Sequence, residues 1–172
     1  DFDFRTKDQF FEVDITGLQA PNPNKLTEQE IIGKLYTTDM LESEKVAPLL
    51  TAAQNGKKLD IEWTHSANGQ THEFVIKGIN RSKQASAVNL DWTGKSIGLE
   101  TKGKRKYEIP ALGDFKLTDV KVIQNPEQYV RLTFSDPLDE NQNLNGLITL
   151  SNYTGNFRFI IDGAQIRAYP NR

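Results

Sequence analysis

The chain has 172 residues, 21 basic and 23 acidic side chains and a net charge of −2. It therefore has room for one medium domain or two small ones, and it offers no field to steer it toward nucleic acid or an anionic membrane. It contains no cysteine, which excludes disulfides, thiolate nucleophiles and cysteine-ligated metals.

No stretch approaches the roughly 20 apolar residues that a membrane-spanning helix needs, and no basic segment followed by an apolar one opens the chain as a secretory leader would. Phe11, Val13 and Ile15 alternate with polar residues, the period of a half-buried strand. Ala20-Pro21-Asn22-Pro23-Asn24 reads as a loop. Between Glu42 and Ala53 the period changes. Val46, Leu49, Leu50 and Ala53 fall at helical spacing, with Thr38 or Ser43 as caps, so one short helix is predicted near 42–53, curtailed by Pro48.

The sharpest local signal is Asn68-Gly69, the preferred pair for a two-residue type I′ turn. A hairpin about that turn sets Trp63 opposite Phe74, Ile61 opposite Ile76 and Leu59 opposite Gly78, all on one face. The other face carries Asp60, Glu62, Thr64, Glu73 and Lys77, with Val75 the exception. Val88, Leu90 and Trp92 mark a further strand. The basic run Lys102 to Lys106 lacks interleaved aromatics and reads as a solvated connector.

A boundary is predicted near Ala111 to Gly113, dividing the chain into a first domain, 1–110, and a second, 111–172, joined by a short hinge with a modest interface. In the second, strands are predicted over 115–123, 129–135, 147–150, 157–161 and 165–169, with Asp162-Gly163 turning between the last two. About 60 residues and about five strands fall short of the seven or so of an immunoglobulin-type sandwich, so the second unit is expected to be incomplete. The fold class expected is mostly β: two small Ig-like or macroglobulin-like β-sandwich units, with one short helix in the first.

Chemistry is sparse. His65 and His72 face each other in the hairpin register, half of a zinc or copper site. A third ligand, Glu12 or Asp14, would have to arrive from another strand, and the preferred reading has both rings covering the rim of the core. Asp139 to Asn145 invites comparison with a calcium loop, but Leu144 and Leu150 fall where an EF-hand needs Gly and Glu. No Gly-x-Ser-x-Gly elbow and no phosphate-cradling glycine loop is present. A carboxylate pair for hydrolysis cannot be located from sequence. Asn80-Arg-Ser and Asn152-Tyr-Thr match the glycosylation acceptor pattern. Trp63, Trp92, Tyr107, Tyr129 and Tyr153 offer a sugar platform, yet both tryptophans fall on faces assigned to the core, which favours packing. No catalytic, cofactor-binding or metal-binding residue is assigned, and the chain is expected to be non-enzymatic.

The segment Gln128-Tyr-Val-Arg-Leu-Thr-Phe-Ser-Asp-Pro-Leu-Asp139 resembles the opening of bacterial Ig-like domains. With Ile109-Pro-Ala-Leu before it and Asn143-Leu-Asn-Gly-Leu-Ile148 after it, it looks like the N-terminal region of bacterial alpha-2-macroglobulin-family proteins of the Bacteroidetes type. Trp92-Thr-Gly94 and Gly33-Lys-Leu-Tyr-Thr-Thr-Asp39 fit the same region more loosely. The resemblance implies a large, protease-trapping parent in the periplasm or cell envelope, built of macroglobulin-like β-sandwich domains and often lipid-anchored. Without cysteine, this chain lacks the family's Cys-x-Glu-Gln thioester, and nothing in it resembles a bait region. It would then be a non-catalytic scaffold segment whose partners are neighbouring macroglobulin-like domains and, through the parent, proteases. No functional residue of the family carries over. The alternative is a surface adhesin or carbohydrate-binding β-sandwich module, which Trp63 and Trp92 exposed on one surface would favour.

Overall fold

A computed structural model describes residues 9–22, 24–151 and 153–171. Pro23 of the first loop and Asn152 of the second acceptor motif lie outside them. The strands are β1 (Phe11–Gln19), β2 (Glu28–Thr37), β3 (Leu50–Gln54), β4 (Lys57–Lys58), β5 (Asp60–His65) and β6 (Thr71–Asn80). They continue with β7 (Ser86–Thr93), β8 (Lys102–Ile109), β9 (Leu117–Ile123), β10 (Tyr129–Phe134), β11 (Phe157–Asp162) and β12 (Gln165–Pro170). They form three antiparallel four-stranded sheets, ordered β1-β2-β6-β5, β4-β3-β7-β8 and β11-β12-β10-β9. The fold is mostly β, as the alternating patterns predict.

The first two sheets form a sandwich. Ile15, Leu18, Ile31, Phe74, Ile76 and Ile79 from one meet Leu50, Ala52, Val88, Leu90, Tyr107 and Ile109 from the other in a single core. Each fully buried aliphatic side chain contributes about 1.5–3 kcal/mol. One close approach is set by Gly33, which lies opposite Phe74 in the β2–β6 ladder. A Cβ there would sit 2.7 Å from the Asp14 carbonyl oxygen and 2.8 Å from Phe74 Cε1. The Phe74 ring occupies the space that a side chain at 33 would fill.

The β5–β6 register is the predicted one from Asp60↔Lys77 through Trp63↔Phe74 to His65↔His72. Its turn is not type I′. Among the described non-glycine residues only Asn55 has positive φ, whereas Gly69 has φ +62°. Asn68 Oδ1 instead accepts from Gln70 N at 3.0 Å, and Gly69 N donates to Ser66 O at 3.0 Å. The result is a four-residue loop in which only the glycine needs the left-handed region.

The predicted helix is shorter than 42–53. It is α1 (Ser43–Val46), followed by a single 3₁₀ turn at Ala47–Leu49. Neither Thr38 nor Ser43 caps it; Glu42 occupies the cap position without a side-chain bond, and Thr38 Oγ1 donates to Phe10 O. From Leu50 onward the alternation of Leu50, Ala52 and Gln54 prevails, and the chain pairs with β7. The Lys102–Lys106 run is likewise not a connector. It is the first half of β8, an edge strand whose pairing with β7 runs from Thr93↔Lys102 to Ser86↔Ile109.

The third sheet has two unlike faces. Val120 and Val122 of β9 share a face with Leu132 and Val130 of β10, Ile166 and Ala168 of β12, and Phe159 and Ile161 of β11. Leu138, Leu144 and Ile148, from the long connection between β10 and β11, cover the middle of that face. Val120 and Val122 stay 55% and 56% exposed. The opposite face carries Asp119, Lys121, Arg131 and Thr133. The strand predicted over 147–150 does not form: Leu147 N donates to Leu144 O in a turn, and the segment serves as part of that covering loop.

Candidate functional site

The polar face of the third sheet lies across the open side of the sandwich, between its edge strands β1 and β8. Lys121 pairs with Asp14 of β1, Arg131 Nη2 donates to Thr16 O at 2.7 Å, and Arg105 of β8 pairs with Asp119 at 3.3 Å. The Arg105 guanidinium also sits 4.6 Å over the Tyr107 ring, a cation–π contact. Burial pushes the Tyr107 phenol up to about 12. Tyr107 Oη, Arg131 Nε and Thr133 Oγ1 are buried here without a protein partner. The junction is thus polar on both sides, unlike a core.

At the other end of the junction one side chain closes the linker. Arg81 follows β6, and its side chain is 0% exposed. Nε donates to Pro110 O at 3.0 Å. Nη1 donates to Ser135 O at 2.9 Å and to Asp136 Oδ1 at 2.7 Å. Nη2 donates to Ala111 O, Asp114 O and Asp136 Oδ2 at 3.0, 3.2 and 3.0 Å. A guanidinium has five N–H groups in a planar fork, and all of them are engaged, one shared. Ser135 Oγ adds a 2.6 Å bond to Asp136 Oδ2. Burial alone would raise the Asp136 carboxyl. The bonds from Arg81 and Ser135 and the charge of Arg81 outweigh it and hold the pKa below the ordinary range. The linker near Ala111, expected to be a short hinge, is tied down by one residue of the first unit.

The other sequence candidates separate cleanly. His65 and His72 do meet, Nδ1 to Nδ1 at 2.9 Å, with His65 stacked on Trp63 at 6.4 Å and 8°. Glu12 and Asp14 pair with Tyr36 and Lys34, whereas His72 is paired with Leu35, so alternation sends both carboxylates to the opposite face of the sheet. Among the described residues no group of three metal-ligating side chains forms.

A 2.9 Å contact between two neutral rings needs one proton in it. His72 Nε2 is buried without a partner, so the arrangement that buries no unpaired N–H puts the His72 proton on Nδ1, donating to His65. Burial first, and His65 second, hold the His72 pKa below its ordinary value, with the Gly69 carbonyl pulling weakly upward. The unfolded chain therefore takes up this proton at a higher pH, near 6.5. Stability is full above that pH and falls as the pH drops toward the folded pKa. Urea midpoints measured at about pH 7.5 and about pH 5 should fall in the native chain. In His72→Phe that fall should shrink; an equal fall in both would show that His72 is not its source.

Trp63 and Trp92 both pack against the sandwich core and do not share an exposed surface. Asp139 to Asn145 is a loop of local turns, with Asp139 Oδ1 accepting from Asn141 N and Asn143 Oδ1 from Asn145 N. The Arg81 clamp was not visible in the sequence. Arg81 stands there as the middle of an acceptor triplet and Asp136 as one letter of a family phrase.

No family model, curated protein or solved structure matches the chain.

Proposed function

We propose that this chain is a non-catalytic scaffold segment of a large bacterial envelope protein of the alpha-2-macroglobulin type, a protease-trapping inhibitor. It works in the periplasm or cell envelope and acts by holding β domains in a fixed relation. The observation that carries the proposal is the pairing of a locked junction with a partly uncovered sheet. Arg81 ties the linker to the end of β10, while the outer face of the third sheet leaves Val120 and Val122 bare. A locked joint with an apolar sheet face turned outward suits a segment that packs against a neighbouring β domain. The direct partners are then neighbouring macroglobulin-like domains, and proteases are met only through the parent.

Reading the parent gene across both ends of this segment tests the proposal. A lipobox cysteine upstream and a long multi-domain frame downstream are expected. The purified parent should let a trapped protease cleave a small chromogenic peptide but not casein. A stop codon just after Arg172, or a parent that leaves casein cleavage untouched, would overturn it.

A further inference from the structure

The polar face of the third sheet carries a row of three cations. Arg131 of β10 stands opposite Lys121 of β9 on one side and Arg167 of β12 on the other. Like charges directly opposite one another across strands are destabilising, so each needs an answering charge. Lys121 has Asp14, and Arg167 has Asp162 at 2.8 Å. Arg131, in the middle, has none: among the described residues it forms no ion pair, and its bond to the Thr16 carbonyl brings no charge. Three buried donors lie at this point of the junction. Arg131 Nε, Tyr107 Oη and Thr133 Oγ1 are each enclosed without a protein partner. Thr133 is two residues on from Arg131 and shares its face. Its Oγ1 lies 3.7 Å from where a Cβ on Gly17 would stand, next to the Thr16 carbonyl that Arg131 holds. Tyr107 comes in from β8. Burial keeps its phenol protonated up to about 12, with Arg131 and Asp14 among the charges that act on it, so it is a donor throughout the physiological range.

We propose that the junction between the sandwich and the third sheet binds a small inorganic anion, chloride, held by Arg131 Nε, Tyr107 Oη and Thr133 Oγ1. Buried donors need an acceptor, and a cation enclosed without a carboxylate needs a negative charge. The nearby carboxylates cannot supply it, because Asp14 and Asp119 are already engaged by Lys121 and Arg105. Lys121, Arg105 and Arg131 thus stand against Asp14 and Asp119, and one monovalent anion restores the balance. A monatomic ion also suits the donor set. It accepts from several directions at once, whereas a phosphate or sulfate would bring more oxygens than these donors satisfy and set a second charge beside Asp14 and Asp119. Tyr107 belongs to the first unit, and Arg131 and Thr133 to the second. The complete site therefore exists only while the two are docked, and chloride favours the docked arrangement by mass action. This inference is independent of what the parent protein does.

Urea unfolding of the intact chain at fixed ionic strength, with methanesulfonate replaced stepwise by chloride, tests the proposal. The midpoint is expected to rise with chloride, and bromide should act in its place. Tyr107→Phe and Thr133→Val each remove one donor with little change of shape. Each should raise the chloride concentration needed for a given rise about tenfold. Arg131→Met should abolish the dependence, whatever it does to the midpoint itself. Lys77→Gln, which removes an exposed cation paired with Glu62 on the first sheet, should leave it intact. A general salt effect would be shared by every variant, so the comparison separates the two. Crystals soaked in bromide should show an anomalous scattering peak beside Arg131 Nε, a readout that does not depend on any variant folding. A midpoint indifferent to chloride, a response that survives Arg131→Met, or no bromide peak at Arg131 would each overturn the proposal.

Discussion

Replacing Arg81 by methionine is expected to lower the unfolding free energy by about 3–5 kcal/mol, the cost of breaking a buried ion pair by removing one partner. The loss exceeds that of an ordinary hydrogen bond because one substitution removes the Arg81 donors from the carbonyl oxygens of Pro110, Ala111, Asp114 and Ser135 and from the Asp136 carboxylate, and only some of these keep another partner, as Ala111 O keeps Asp114 N. Lysine should not restore it. An ammonium has three donors at a point, whereas the site is a planar fork around a bidentate carboxylate. Urea unfolding of the native chain, Arg81→Met and Arg81→Lys measures this, and a methionine variant within about 1 kcal/mol of native would mean that the clamp adds little. Its acid dependence has a definite sign. The Asp136 pKa is depressed in the fold, so its contribution is present above the unfolded value of about 3.9 and is lost as the pH falls through the folded one.

The second large effect is expected at Gly33. Gly33→Val should cost roughly 3 kcal/mol, the upper part of the range for overpacking a core, because its first carbon meets both a backbone oxygen and the Phe74 ring. Neither neighbour can swing away: Phe74 is 0% exposed, and the Asp14 carbonyl belongs to a paired strand. A cycle with Phe74→Leu should show strong coupling, since the smaller side chain relieves one of the two clashes. Additive losses would mean that the ring does not set the limit at position 33. Denaturant midpoints of the two single variants and the double variant decide it.

These two sites differ in how far they could be read from sequence. The hairpin register is legible because it depends on residues close in the chain whose alternation is broken only at Val75. The strand β2 was harder. Ile31 and Ile32 are adjacent apolar residues, and a register shift between Gln29 and Ile31 interrupts the period. The basic half of β8 turns Lys102, Lys104 and Lys106 outward and carries no apolar side chain inward, where Gly103 and Arg105 stand; its apolar inward residues, Tyr107 and Ile109, come at the end. The strand β3 lost to a helical reading because Val46 and Leu49 do lie on helical turns, and the period changes at Leu50 without punctuation.

The third sheet illustrates a different limit. Its alternation was visible, but which face meets the rest of the molecule was not. That depends on Asp14, 107 residues from the Lys121 it answers, and on Arg105, which answers Asp119 from a strand of a different sheet. The clamp is a further case, since Arg81 and Asp136 are 55 residues apart and no local pattern links them.

The single guanidinium at position 81 also has a mechanical consequence. The carbonyls that fold the linker and the groups that anchor β10 bond to the same side chain. The linker therefore cannot straighten while the second unit stays docked, nor can the unit swing while the linker stays folded. Tension across the joint would be borne by the whole set of bonds at once, with almost no give until all of them fail together. Such a joint behaves as a latch and transmits force from one unit to the other as a stiff strut would.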